Sequence, residues 1–248
     1  MAVYRLDIAY DGTGFRGWAR QQGQRTVQGE LESALSTYLR GPVTTAVAGR
    51  TDAGVHALGQ VVSFEFDGEV DLDRLPRAIN GIIGPEVSVR SASAAPDGFN
   101  ARFSATWRRY RYRMDTAPTS DPLSRHVAWH VGADLDVEVM RETAAAFVGD
   151  HDFSSFCRKV EGKSNVRRVS ETSLVESGDF LDFWIKANAF CHQMVRSIVG
   201  YLYDVGRGFS DGSQVEDVIA ARDRSRVATV APPHGLVLWQ VGYDPQDR

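Results

Sequence analysis

A chain of 248 residues, 43% hydrophobic and 24% charged, is long enough to bury a full core and has the composition of an ordinary folded protein, not a disordered one. No apolar run approaches the ~18 residues a helix needs to cross a bilayer, and Met1 to Tyr10 alternate like a strand instead of forming a signal peptide, so a cytoplasmic protein is expected. The formal net charge of −4 speaks against a polyanionic partner, but its distribution reverses that impression. Residues 102–113 hold five arginines and no acid, and 158–168 hold five cations against Glu161, which leaves −13 for the rest of the chain. Concentrated cations on an otherwise acidic chain fit a protein that grips phosphate at one face; the competing reading is a pair of solvated strand faces. Cys157 and Cys191 lie far apart without paired ligand spacing, so they read as buried thiols, with neither a disulfide nor a zinc site indicated.

In chain order, Tyr4, Leu6, Ile8 and Tyr10 share one face of a first strand, opposite Arg5 and Asp7. Val27, Leu31, Ala34, Leu35 and Tyr38 fall at helical spacing behind Thr26, a good cap. Val43 to Ala48 and Gln60 to Phe66 read as strands, Leu72 to Ile79 as a short helix, and Val87 to Ala92 as a strand. The second half is loosely similar. Trp107 to Met114 alternates, with Tyr110, Tyr112 and Met114 on one face and Arg109, Arg111 and Arg113 on the other. Asp136 caps a helix marked by Val137, Met140, Ala144 and Phe147, and strands follow at Val166 to Val175 and Phe180 to Ala187. A long helix from Phe190 to Val205, a shorter one at Val215 to Ala221 and a strand at Leu236 to Tyr243 complete the chain. This predicts an α+β fold of two similar halves, 1–104 and 105–248, with mainly antiparallel sheets joined into one platform, helices on the outer faces and a cleft between the halves.

Between the second and third strands, Gly49-Arg50-Thr51-Asp52-Ala53-Gly54-Val55-His56 sets one carboxylate between two glycines. A sharp turn there lets a substrate approach the backbone closely, which makes Asp52 a candidate catalyst; a turn merely capped by Asp52 is the equal alternative. Gly12-Thr13-Gly14-Phe15-Arg16-Gly17 has the spacing of a dinucleotide-binding loop, but no helix opens behind it and no strand-end acid stands where a ribose contact belongs. That reading is rejected.

The Asp52 string resembles the signature of the tRNA pseudouridine synthase A family, whose nucleophile is the aspartate of that motif. Further segments match in order: Tyr10-Asp11-Gly12 and Gly17-Trp18, Thr26-Val27-Gln28, Phe99-Asn100-Ala101-Arg102-Phe103, Arg109-Tyr110-Arg111-Tyr112, Lys186-Ala187-Asn188-Ala189-Phe190 and Met194-Val195-Arg196. The resemblance implies an isomerase without cofactor or metal. Its substrates are uridines at positions 38 to 40 of the tRNA anticodon stem-loop, bound by a homodimer. It further implies Asp52 as nucleophile, Arg196 as its cationic partner and Tyr110 as the residue contacting the base.

A stem uridine must be unpaired and extruded, at a cost of a few kcal/mol that backbone contacts offset. Arg50, beside the nucleophile, is a candidate to fill the vacated space or hold a phosphate. Arg102, Arg108, Arg109, Lys163, Arg167 and Arg168 are the phosphate-contact candidates, and Phe103 belongs to the same RNA-contacting segment. His56 reads as a structural turn residue and is set outside catalysis. The alternative class is a non-catalytic RNA-binding module, since paired α+β sheets with exposed aromatics also bind RNA.

Overall fold

The computed structural model describes residues 1–158, 162 and 164–244. In chain order these form β1 (Ala2–Tyr10), α1 (Val27–Leu39), β2 (Thr45–Val47), β3 (His56–Phe66), α2 (Leu75–Ile83), β4 (Val87–Ala95), β5 (Trp107–Asp115), β6 (Trp129–His130), α3 (Val137–Ala145), β7 (Gly149–Asp152), β8 (Val166–Ser177), β9 (Phe180–Ala187), α4 (Met194–Gly206), α5 (Val215–Ala221) and β10 (Leu236–Gly242). Contacts divide the chain into unit 1, residues 1–108 with 237–248, and unit 2, residues 109–236. Each unit is α+β with a mainly antiparallel sheet. No helix among the described residues is long and apolar enough to cross a membrane.

In unit 1, β1 lies between β4 and β3, antiparallel to both, and β2 pairs with β3. The β1–β3 register runs from Ala2↔Phe66 to Ile8↔Gln60 and then slips to Tyr10↔Ala57, an irregularity that re-aims Tyr10 where β1 ends. The apolar face of α1 is buried at Val27, Leu31, Ala34 and Leu35, and Thr26 Oγ1 accepts from Gly29 N at 3.3 Å, as its sequence position predicts. Each fully buried leucine or isoleucine of this layer, such as Leu6, Ile8, Leu31 and Ile79, stabilises the unit by about 1.5–3 kcal/mol. Helix α2 starts three residues later than its apolar spacing suggests, because Asp71 caps Arg74 N at 3.0 Å and a proline occupies the first turn. The closing strand departs from the expected halves: β10 runs parallel beside β3, Val237 opposite His56, and so belongs with unit 1.

Unit 2 is built on the order β5-β9-β8-β7, with β6 parallel to β5 at one end. Tyr110, Tyr112 and Met114 are buried on one face of β5 as the alternation predicts. The two short strands β6 and β7 carry no apolar alternation of their own and were not anticipated. Asp136 Oδ1 caps α3 by accepting from Val139 N at 3.1 Å. Helix α4 begins at Met194 and not at Phe190, because Gln193 sits at φ 66°, outside helical space.

Phe147, Phe153 and Phe156 are fully buried against one another, and Phe156 meets Tyr201 of α4 edge-on at 5.8 Å. This cluster seats the short turn Phe153–Phe156 against α4 and brings Cys157 to Cys191, Cα to Cα 5.8 Å, where the two are joined as a disulfide. The expectation of two separate thiols is thereby corrected: the pairing depends on packing across 34 residues that spacing alone does not reveal. Protein purified without reductant and then denatured is expected to present fewer than one titratable thiol per chain and two after reduction. Two thiols in the unreduced sample would remove the bond.

Candidate active site

The Asp52 turn in unit 1 is closed by its own backbone, Val55 N donating to Asp52 O at 3.2 Å, with Gly54 at φ 77°. Asp52 itself is half-buried, between buried Thr51 and exposed Ala53. The glycine-rich string 12–17 supplies the bed for this turn. Trp18 N donates to Thr51 O at 3.0 Å and Gly54 N to Phe15 O at 3.4 Å. A Cβ on Gly17, which sits at φ 91°, would stand 2.9 Å from Thr51 O and 3.2 Å from Ala53 N, and one on Gly12 would overlap the Val55 carbonyl. The string rejected as a dinucleotide loop is therefore glycine-rich so that two loops can touch backbone to backbone.

Three further groups hold the turn. Buried His56, 5% exposed, accepts from Gly12 N at Nδ1 across 3.0 Å, with Asp11 Oδ1 3.1 Å from the same nitrogen. Gln60 Nε2 donates to Gly49 O at 2.7 Å. Arg108, 8% exposed, donates through Nε and one terminal nitrogen to Ala48 O at 3.1 and 2.8 Å, and also reaches Ala105 O and Arg102 O at 3.2 and 2.9 Å. Expected on a phosphate, Arg108 is spent on protein carbonyls instead.

The other expected residues of unit 1 lie at its surface. Arg50 and Arg102 are exposed, and the Arg102 guanidinium lies over the Phe103 ring at 5.2 Å. Phe103 is 76% exposed, its amide and that of Arg102 held by Asn100 Oδ1 at 3.3 and 3.0 Å. An exposed aromatic with a cation on its face is a stacking platform of the kind that single-stranded bases use.

In unit 2, Tyr110 is buried and meets the Phe190 ring edge-on at 4.8 Å. Arg109, Arg111 and Arg113 of β5 face acids on β8 and β9, an outcome that depends on strand pairing. Arg109 binds Glu171 at 3.0 Å and lies over Trp184 at 4.8 Å. Arg113 makes two bonds of 2.7 Å to Asp182, which holds its guanidinium above the usual range. Arg111, 4.0 Å from the same carboxylate, is pushed the other way by burial. Arg168 is exposed and pairs with Asp150 at 3.0 Å; half-buried Arg167 donates to Ser164 O and Val166 O at 2.9 and 2.6 Å. Lys163 lies outside the described residues. Arg196 stands on the first turn of α4, half-buried, with Nε donating to Ala231 O at 2.7 Å while Ala231 N donates back to its carbonyl at 3.0 Å. That reciprocal pair ties both the backbone and the side chain of Arg196 to Ala231. Among the described residues no group of three His, Cys, Asp or Glu is placed to hold a metal ion.

Residues 8–104 and 143–244 match the family model described as tRNA pseudouridine synthase. The chain belongs to that family, whose chemistry is an isomerisation. Among its relatives is tRNA pseudouridine synthase A of Streptomyces avermitilis, 48% identical over 249 residues that cover 96% of this chain and 87% of the relative. The protein of the same name in Bacillus subtilis is 41% identical over 243 residues, 97% of this chain and 98% of the relative. The matched stretches contain Asp52, Arg50, Arg102, Phe103 and Arg196 and leave out residues 105–142, among them Arg108, Arg109 and Tyr110.

Proposed function

We propose that the chain converts uridine to pseudouridine at positions 38 to 40 of the tRNA anticodon stem-loop, as a cytoplasmic homodimer, with Asp52 as the nucleophile. The supporting observation is a single half-buried carboxylate on a turn braced by a second loop, a histidine, a glutamine and an arginine. Such bracing suits a group that must meet a reacting carbon at one place. The reaction breaks the bond from ribose C1′ to uracil N1, turns the base, and joins C5 to C1′. The C5 proton is lost and N1 gains one, so no oxidant, reductant or added group is required. A carboxylate serves as the covalent nucleophile that bridges the two halves of this exchange. Arg196 is assigned as the catalytic cation and Tyr110 as the residue that contacts the base. Arg50, Arg102, Phe103, Arg109, Lys163, Arg167 and Arg168 are assigned to RNA; Arg108 is assigned to holding the Asp52 turn.

Pseudouridine mapping of tRNA from cells with and without this protein tests the reading. The expected loss is confined to positions 38 to 40. An unchanged map, or a loss elsewhere in tRNA, overturns it.

A further inference from the structure

Behind the Asp52 turn lies a buried polar chain that the chemistry above does not use. Gln60, 0% exposed, stands where the β1–β3 register slips. Its Nε2 donates to the Tyr10 hydroxyl at 3.2 Å as well as to Gly49 O. The Tyr10 hydroxyl is 2.8 Å from Thr51 Oγ1, and Thr51 precedes Asp52 in the chain. Burial pushes the Tyr10 hydroxyl up to about 12, so it keeps its proton at neutral pH. Its oxygen accepts from Gln60, and it shares a hydrogen bond with Thr51 Oγ1 in which either hydroxyl can donate. The chain thus runs from β3, through β1, to the residue beside Asp52.

A polar chain of this kind is costly to bury unless every member is satisfied, and an apolar trio would pack as well at less cost. What it adds over apolar packing is directional: hydrogen bonds restrict the turn along the line from Tyr10 to Thr51, whereas hydrophobic contacts do not. We infer that Tyr10, Thr51 and Gln60 are positioning residues that hold residue 51, and through it Asp52, at the point from which the carboxylate reaches the substrate. The inference rests on Asp52 being the nucleophile.

Four variants test it together: Tyr10→Phe, Thr51→Val, Thr51→Ser and Asp52→Asn, each measured for kcat, KM for tRNA and thermal midpoint. Misplacing a reacting group by about 1 Å costs up to ~100-fold, so Tyr10→Phe and Thr51→Val are expected to lower kcat by roughly 10- to 100-fold. KM should hold, and loss of one hydrogen bond should move the midpoint by only about 2–4 °C. Thr51→Ser, which keeps the hydroxyl, should restore most of kcat. Wild-type kcat in Thr51→Val or Tyr10→Phe, with Asp52→Asn inactive, overturns the positioning role and leaves the nucleophile standing. Equal losses in Thr51→Val and Thr51→Ser, or kcat loss that tracks a fallen midpoint, also overturn it, because then the chain acts on packing alone. Turnover retained by Asp52→Asn overturns both readings.

Discussion

Asp52→Asn is expected to abolish pseudouridine formation, with a fall in kcat on the order of 10⁴-fold or more, because the amide cannot act as the covalent nucleophile. The substitution is nearly isosteric, and the bond that closes the turn, Val55 N to Asp52 O, is made by backbone and survives it. The variant should therefore fold, melt where the parent melts, and bind tRNA much as before. Single-turnover assays on an unmodified anticodon stem-loop, beside a binding titration, separate these quantities. Turnover close to that of the parent would return Asp52 to the role of a turn residue. Loss of binding in step with turnover would mean that the carboxylate holds RNA and does not react with it.

Arg108→Met is expected to act on stability. Methionine matches the length of the arginine stem but donates nothing, so Ala48 O loses two bonds and Ala105 O and Arg102 O one each. Hydrogen bonds from a charged donor contribute about 1.5–3 kcal/mol each, and stranding several buried acceptors costs more than the mean. A net loss of about 3–5 kcal/mol follows, seen as a thermal midpoint lower by roughly 10 °C. A phosphate contact would behave in the opposite way, weakening tRNA binding and its salt dependence with the midpoint unmoved. Arg102→Ala, at an exposed site over Phe103, is the internal contrast and should show that second pattern. An Arg108→Met protein that melts like the parent and binds tRNA weakly would restore the phosphate assignment.

The two arginines mark the boundary of what the amino-acid order makes legible. Local periodicity identified β1, α1, β5 and their buried faces correctly, because the apolar positions and caps that create them lie within a few residues of one another. The start of α4 was displaced because Gln193, outside helical space, outweighed apolar spacing, and that of α2 was displaced by the Asp71 cap and the first-turn proline. The run from Arg102 to Arg113 was visible as charge, but not what each guanidinium faces. Glu171 and Asp182 reach Arg109 and Arg113 from other strands, and Ala48 O reaches Arg108 through the fold of unit 1. The Asp52 turn was legible as a motif and His56 as a structural residue of it, whereas the supports Tyr10 and Gln60 were not, since each meets the turn only through strand register. Gln60 offered one signal: at the head of the apolar run Gln60 to Phe66 stands a polar residue that the fold buries completely.

The parallel seat of β10 beside β3 bears on the order in which the protein becomes competent. Val237 and Leu238 pair with His56 and Ala57, the residues by which the chain leaves the Asp52 turn. Unit 1 is thus interrupted by the whole of unit 2 and receives β10 only after unit 2 has been made. Unit 2, continuous from 109 to 236, has all of its residues beforehand. The edge of β3 next to the Asp52 turn stays open until Val237 and Leu238 emerge, so a chain still being made carries the motif without the finished sheet that supports it.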